Sequence, residues 1–161
     1  LLTKPFFGKR KNTSDFYSEM EIKLFLGLIQ FSEDISWIEE ELKRMLLFTR
    51  KYDSKKIKEQ AEMSILKELA SIQEEKGDAQ KELEYIEQAL TLVKESRTMR
   101  GLAELHFKKA GLLKELMQRN KDMQQEYQKQ CQVELTMAYY TALVMNNVEL
   151  VQKIKTTGDR V

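Results

Sequence analysis

Seven polar and aromatic residues are the candidates for binding chemistry in this sequence. Asn146 and Asn147 are adjacent, and an asparagine amide both donates and accepts hydrogen bonds. An extended peptide exposes an unpaired N–H and C=O at each residue, so such amides can hold its backbone without reading its sequence. The other candidates offer aromatic, cationic and hydroxyl groups: Tyr139, Phe107, Lys114, Ser71 and Lys67. Together they predict a peptide-binding surface.

Each candidate also has an ordinary structural interpretation. Two asparagines at a helix end commonly cap the helix and turn the chain. Phe107 and Tyr139 are large apolar side chains that could simply pack between helices. Both interpretations remain open from the sequence.

The residue types needed for catalysis or metal binding do not form a complete set. His106 is the only histidine, so we expect a surface or partly packed side chain and no metal ion. Cys131, the only cysteine, lies on an apolar helical face, where a buried inert thiol is expected. Glutamates at 39–41 and 74–75 are typical of solvated helix faces. Phosphate-loop and hydrolase motifs are missing, so we expect no cofactor and no enzyme activity.

Composition points to a folded helical protein. The 161 residues are 42% hydrophobic and 33% charged, and they include one proline and six glycines. A formal net charge of +1 gives no long-range attraction to nucleic acid, and no apolar run is long enough for a membrane span. A single cysteine cannot form an internal disulfide, which favours a cytoplasmic location.

Apolar residues at three- and four-residue steps predict about seven helices. Residues 1–14 contain the only proline and lack this period, so we interpret them as a connector or tail before a helical domain over 15–161. The chain begins without an initiator methionine or a signal-peptide pattern, so we expect a fragment of a longer protein. The predicted helices cover about 15–31, 36–50, 54–77, 78–93, 102–116, 123–145 and 148–155.

Capping residues predict where several of these helices begin or end. Ser36 and Glu39 have capping-box spacing at the start of the second helix. The third helix is predicted to begin at Asp53 or Ser54 and to end at Gly77, and Asp78 to start the fourth. A cap at Ser96 is predicted before the fifth helix. The apolar positions from Met123 to Met145 allow one long helix or a bent pair.

Small residues recur where tetratricopeptide-type hairpins need close helix approach. The best unit has Ala70, Gly77 and Ala89, and the other units offer Ala110, Ala142 and Gly27. The spacing between units is less regular than in a true repeat. We therefore predict an all-α, tetratricopeptide-like superhelix of helical hairpins. In such a stack the first helix of each hairpin lines the concave surface, and the seven binding candidates occupy such positions.

Three stretches together carry a family resemblance. They are 19–25 followed by 38–44, 72–78 with its partner 85–90, and 107–113. Over about 15–156 the chain resembles the C-terminal regulatory region of Rgg/MutR-type transcriptional regulators, a quorum-sensing family. The resemblance implies a homodimer that binds a short signalling peptide and reaches DNA only through an N-terminal domain outside this chain. The alternative is an adaptor that holds a protein partner without switching.

Overall fold

The structure, a computed structural model, describes residues 19–49, 55–99 and 101–158, and within them all regular structure is helical. This confirms the predicted all-α, helical-hairpin class. The predicted connector over 1–14 and the caps at Asp53 and Ser54 lie outside the described residues. The helices are α1 Glu19–Leu28, α2 Ile35–Thr49, α3 Lys55–Lys76, α4 Ala79–Ser96, α5 Leu102–Arg119, α6 Gln124–Val144 and α7 Val148–Gly158.

The predicted domain over 15–161 comprises two compact units. The first ends at Ile72 and the second begins at Gln73, so the boundary falls inside α3. None of the helices described is long and apolar enough to cross a bilayer.

The described part of the first unit has an apolar core, and a buried hydrogen bond joins α2 to α3. Phe25 on α1 is 1% exposed, and its ring meets the Trp37 ring edge-on at a centroid distance of 5.7 Å. Thr49, at the end of α2, donates a hydrogen bond of 3.3 Å to the buried Glu62 carboxylate on α3. Further buried side chains are Ile22, Leu42, Met45, Ile65 and Leu69.

The second helix is capped by Asp34, and the predicted Ser36 cap is wrong. Asp34 Oδ1 accepts a hydrogen bond of 3.0 Å from the Trp37 N–H, and the Asp34 carbonyl accepts from the Ile38 N–H. Ser36 therefore lies within the first turn. Aspartate and serine cap helices about equally well, and Asp34 and Ser36 are only two residues apart. The capping-box spacing of Ser36 and Glu39 therefore predicted the wrong capping residue.

The second unit is a succession of hairpins in which α4 packs on α5, α5 on α6 and α6 on α7. Helices α5 and α6 run antiparallel, because Ala110 meets Cys131 while the earlier His106 meets the later Glu134. Helix α6 is continuous, which decides between one long helix and a bent pair.

Small residues allow close packing at most of the predicted positions. Ala70, Ala89, Ala110 and Ala142 are all buried. Gly27 differs, because it is exposed and an added Cβ meets no atom within 4 Å. The small size of Gly27 is therefore not required for helix approach.

Two of the three predicted boundaries around α4 are confirmed. Gly77 has a left-handed φ of 69° and follows the last residue of α3, and Asp78 caps α4 by accepting from the Lys81 N–H at 3.1 Å. Ser96 does not cap α5. It is the last residue of α4 and donates to the Val93 carbonyl, while Gly101 with φ 77° precedes α5.

Two glycine substitutions are expected to change stability in opposite directions. Gly77→Ala should lower the free energy of unfolding by about 1 to 2 kcal/mol, because only the left-handed backbone opposes a side chain there. Gly111→Ala should raise it by up to about 1 kcal/mol, because Gly111 is inside α5 and its Cβ would meet open space. Urea denaturation of both variants measures the difference, and a Gly77→Ala protein as stable as the wild type would contradict the assignment.

Candidate functional site

An open cavity of about 500 Å³ lies in the second unit, beside α5. Phe107, Gly111 and Lys114 line it, and their spacing of four and three residues puts them on one face of the helix. Gly111 is exposed, and a Cβ added there meets nothing within 4 Å. The missing side chain between Phe107 and Lys114 thus leaves room for a ligand, and the volume is in the range of small-ligand sites.

The floor of the cavity is apolar and chemically inert. It includes Ala110 of α5 with Cys131 and Leu135 of α6, all of them buried. The Cys131 thiol donates a hydrogen bond of 3.3 Å to the Ala110 carbonyl. Burial raises the pKa of Cys131 and outweighs the opposing effect of Lys114. The thiol therefore stays protonated, as expected for a packing residue.

One wall of the cavity is a compact charge cluster at the turn between α3 and α4. Lys108 Nζ lies 2.9 Å from a Glu74 carboxylate oxygen and 3.0 Å from one of Glu82. Burial raises the pKa of Glu82, and the hydrogen bond from Lys108 only partly opposes this. Burial lowers the pKa of Lys108, but its two carboxylate partners outweigh that effect and raise it overall. The ammonium of Lys108 is therefore already paired with Glu74 and Glu82.

Two other lysines of the lining, Lys114 and Lys153, have no carboxylate partner among the described residues. Among the described residues Lys114 has no ion pair or hydrogen bond, and it is half-buried. Lys153 of α7 lies over the Phe107 ring, with its Nζ 5.6 Å from the ring centroid. Glu115, also in the lining, is paired with Arg119 at 2.6 Å. The lining therefore contains glutamates that are already paired and lysines that have no such partner among the described residues.

A polar cluster around the buried His106 holds α4, α5 and α6 together. His106 Nδ1 and Glu134 Oε2 are 2.5 Å apart, and Lys109 Nζ lies 3.1 Å from Glu134 and 2.9 Å from Glu87. Burial raises the pKa of Glu134, but the hydrogen bonds from His106 and Lys109 lower it below its usual range overall. His106 is 3% exposed, so the expectation of a surface or partly packed histidine is wrong.

The structure brings together only some of the residues predicted to bind a peptide. Phe107 and Lys114 both line the cavity. Lys153 and Thr157 of α7 line it as well, and the sequence pattern did not identify them. Lys153 and Thr157 are four residues apart, which places them on the same face of α7. The sequence does not show, however, that this face packs near α5.

Asn146 and Asn147 carry out the capping roles of their ordinary interpretation. Asn146 ends α6 in the left-handed conformation with φ 54°. Asn147 Oδ1 accepts from the Leu150 N–H at 3.1 Å, which caps α7, and its amide nitrogen donates to Glu104 at 3.0 Å. Neither is in the lining described for the cavity, and a contact with peptide stays a prediction for both.

The remaining candidates lie elsewhere. The Tyr139 ring packs edge-on against Tyr140 at 5.6 Å, and Lys155 Nζ lies 6.0 Å from its centroid. Lys67 and Ser71 are on α3 in the first unit, exposed and half-buried respectively. In the part of the chain that the structure describes, no group of His, Cys, Asp or Glu side chains could hold a metal ion.

The lowered pKa of Glu134 makes a prediction for the pH dependence of stability. A depressed folded-state pKa stabilises the fold above the unfolded pKa, and this contribution is lost as the pH falls through the folded value. Glu134→Gln should therefore cost about 2 kcal/mol at pH 7 and flatten the loss of stability below about pH 5. Exposed Glu84, changed to Gln, is the control. Urea denaturation at a series of pH values gives the free energy of unfolding of each protein. An equally steep fall of this free energy below about pH 5 in wild type and in Glu134→Gln would refute the assignment.

Comparisons with models of known protein families, with curated proteins and with solved structures gave no match. The function is therefore inferred from the chain itself. The features that bear on it are the gap at Gly111, the apolar floor, and the paired glutamates and unpaired lysines that the described part of the chain contributes to the lining.

Proposed function

We propose that this chain is the regulatory domain of a cytoplasmic transcriptional regulator of the Rgg/MutR type, and that it binds a short signalling peptide in the cavity beside α5. The observation that carries the proposal is the open face of α5, where Gly111 leaves space between Phe107 and Lys114. DNA contact belongs to an N-terminal domain outside this chain.

The elements around the cavity provide a route for signalling. Its lining comes from the turn between α3 and α4 and from α5, α6 and α7, so one ligand touches several helices at once. A ligand that binds one arrangement of these helices more tightly than another shifts the population toward it. Such a shift is the regulatory step in this proposal.

A second copy of the chain is the proposed partner of α6. Val133, Met137, Tyr140 and Val144 form a stripe on one face of α6 and are 56%, 45%, 62% and 70% exposed. Exposed apolar surface of this kind is typical of interaction sites. Between 130 and 148 the only charged residue is Glu134, which turns inward to His106. The stripe therefore offers no like charge to repel its own copy across a two-fold axis.

The competing function is an adaptor that uses the same cavity without switching. The two functions differ in the consequence of binding. A regulatory domain changes its dimer state or its helix arrangement when peptide binds, whereas an adaptor keeps both. Hydrogen exchange of α6 amides with and without bound peptide distinguishes the two functions.

Filling the gap at Gly111 should abolish peptide binding. The measurement is affinity selection from a random octapeptide library, with bound peptides identified by mass spectrometry. Wild type is expected to enrich a subset of the library, and Gly111→Trp to enrich that subset at least tenfold less, because the indole occupies the cavity. Gly111→Ala is the matched control and should retain enrichment. Equal enrichment by the tryptophan variant, or none by the wild type, would refute this function.

A charge in the α6 stripe should dissociate the dimer. Light scattering of the wild type is expected to give about twice the chain mass of 19.0 kDa, and Val144→Glu should give the monomer mass, because two carboxylates would face each other in an apolar interface. Gln128→Glu adds the same charge at an exposed position of α6 outside the stripe. A monomeric wild type at high concentration would contradict the dimer.

A further inference from the structure

We infer that the cavity recognises a carboxylate carried by an apolar peptide segment, with Lys114 as the residue that receives it. This inference rests on the proposed function and specifies the chemistry of the peptide. The carboxylate is either the free C-terminus of the peptide or an acidic side chain within it.

The pairing of charges in the cavity leads to this inference. Three glutamates line it, and each already has a cation, since Glu74 and Glu82 share Lys108 and Glu115 pairs with Arg119. Lys114 is half-buried and has no such partner among the described residues. Because a partly desolvated ammonium gains most from a carboxylate, an anionic group of the ligand would be the partner that Lys114 lacks among the described residues.

The surroundings of Lys114 select a carboxylate that belongs to an apolar ligand. Lys114 lines the same cavity as the buried Cys131, which belongs to the apolar floor. That floor continues through Ala110 and Leu135. A small inorganic anion would leave the floor exposed to water, whereas an apolar side chain next to the carboxylate covers it.

The length of the open face fits a short extended segment. Phe107 and Lys114 are seven positions apart along the helix, which is about 10 Å at 1.5 Å per residue. Extended chain advances about 3.3 Å per residue, so about three residues fit between them. With the carboxylate at Lys114, the apolar residues lie over Gly111 and reach Phe107.

The glutamate cluster disfavours an anionic group placed beside it. Glu74 and Glu82 share one lysine, so this cluster has one negative charge in excess. A carboxylate placed there would meet a like charge, so we expect the ligand carboxylate at Lys114 and not at this cluster.

The test uses three probes and NMR titration of the ¹⁵N-labelled full chain. The probes are N-acetyl-Leu-Leu-Phe with a free carboxylate, the same tripeptide as its C-terminal amide, and N-acetyl-Leu-Glu-Phe amide. The free acid is expected to shift the backbone amides of 107–115 and to bind at least tenfold more tightly than the first amide. If the glutamate-bearing amide binds as tightly as the free acid, the cavity accepts a carboxylate from a side chain as well as from the C-terminus, and if it binds as weakly as the first amide, only the C-terminal carboxylate is recognised.

Variants at Lys114 test whether this residue binds the carboxylate of the peptide. Lys114→Met should reduce the affinity for the free acid to that of the amide, Lys114→Arg should restore it, and Lys129→Met, at an exposed site of α6, should leave it unchanged. Circular dichroism melts show whether each variant is folded. Equal affinities of free acid and amide for the wild type, or full affinity of a folded Lys114→Met protein for the acid, would overturn the inference while leaving peptide binding intact. Absence of binding by all three probes and by the octapeptide library would overturn both.

Discussion

The structure of the second unit depends on how α5 divides its surface between neighbours and solvent. Its buried side must accommodate α4 and α6 at once, and Ala110, which is 1% exposed, allows the close approach. The same side carries His106 and Lys109. His106 Nδ1 pairs with Glu134 and Lys109 pairs with Glu134 and Glu87, whereas His106 Nε2 is buried without a hydrogen-bond partner among the described residues. Burying these groups would be costly without such partners, so the pairing fixes the register of three helices.

The cavity is a geometric consequence of that register. His106, Ala110 and Leu113 face the core, and rotation by one residue, about 100° around the helix, places Phe107, Gly111 and Lys114 on the adjoining face. A side chain at 111 would partly fill that face, and glycine leaves it open. The polar cluster around His106 joins α4, α5 and α6, so the parts of the lining on these three helices are connected to one another.

Local structure could be predicted from the sequence, and the tertiary part of the site could not. Apolar periodicity gives the helices because each must bury one face, and Gly77 with Asp78 supplies the backbone and the cap that the turn between α3 and α4 requires. Two other caps were placed wrongly, because several residues near a helix end can satisfy the same free N–H groups. Lys153 reaches Phe107 only because α7 folds back toward α5, and His106 meets its carboxylate across 28 residues of sequence. No periodicity encodes such pairings.

Helix α6 connects the two proposed binding events. Cys131 and Leu135 face the cavity, and Val133 and Met137 belong to the exposed stripe, so a rigid displacement of α6 moves both surfaces together. If peptide binding shifts α6, thermodynamic linkage requires that dimerisation change peptide affinity by the same factor as peptide changes dimer affinity. A regulatory domain needs this coupling to be different from zero. An adaptor could have the same cavity and the same stripe with no coupling between them, so the mobility of α6 is the property that separates the two functions.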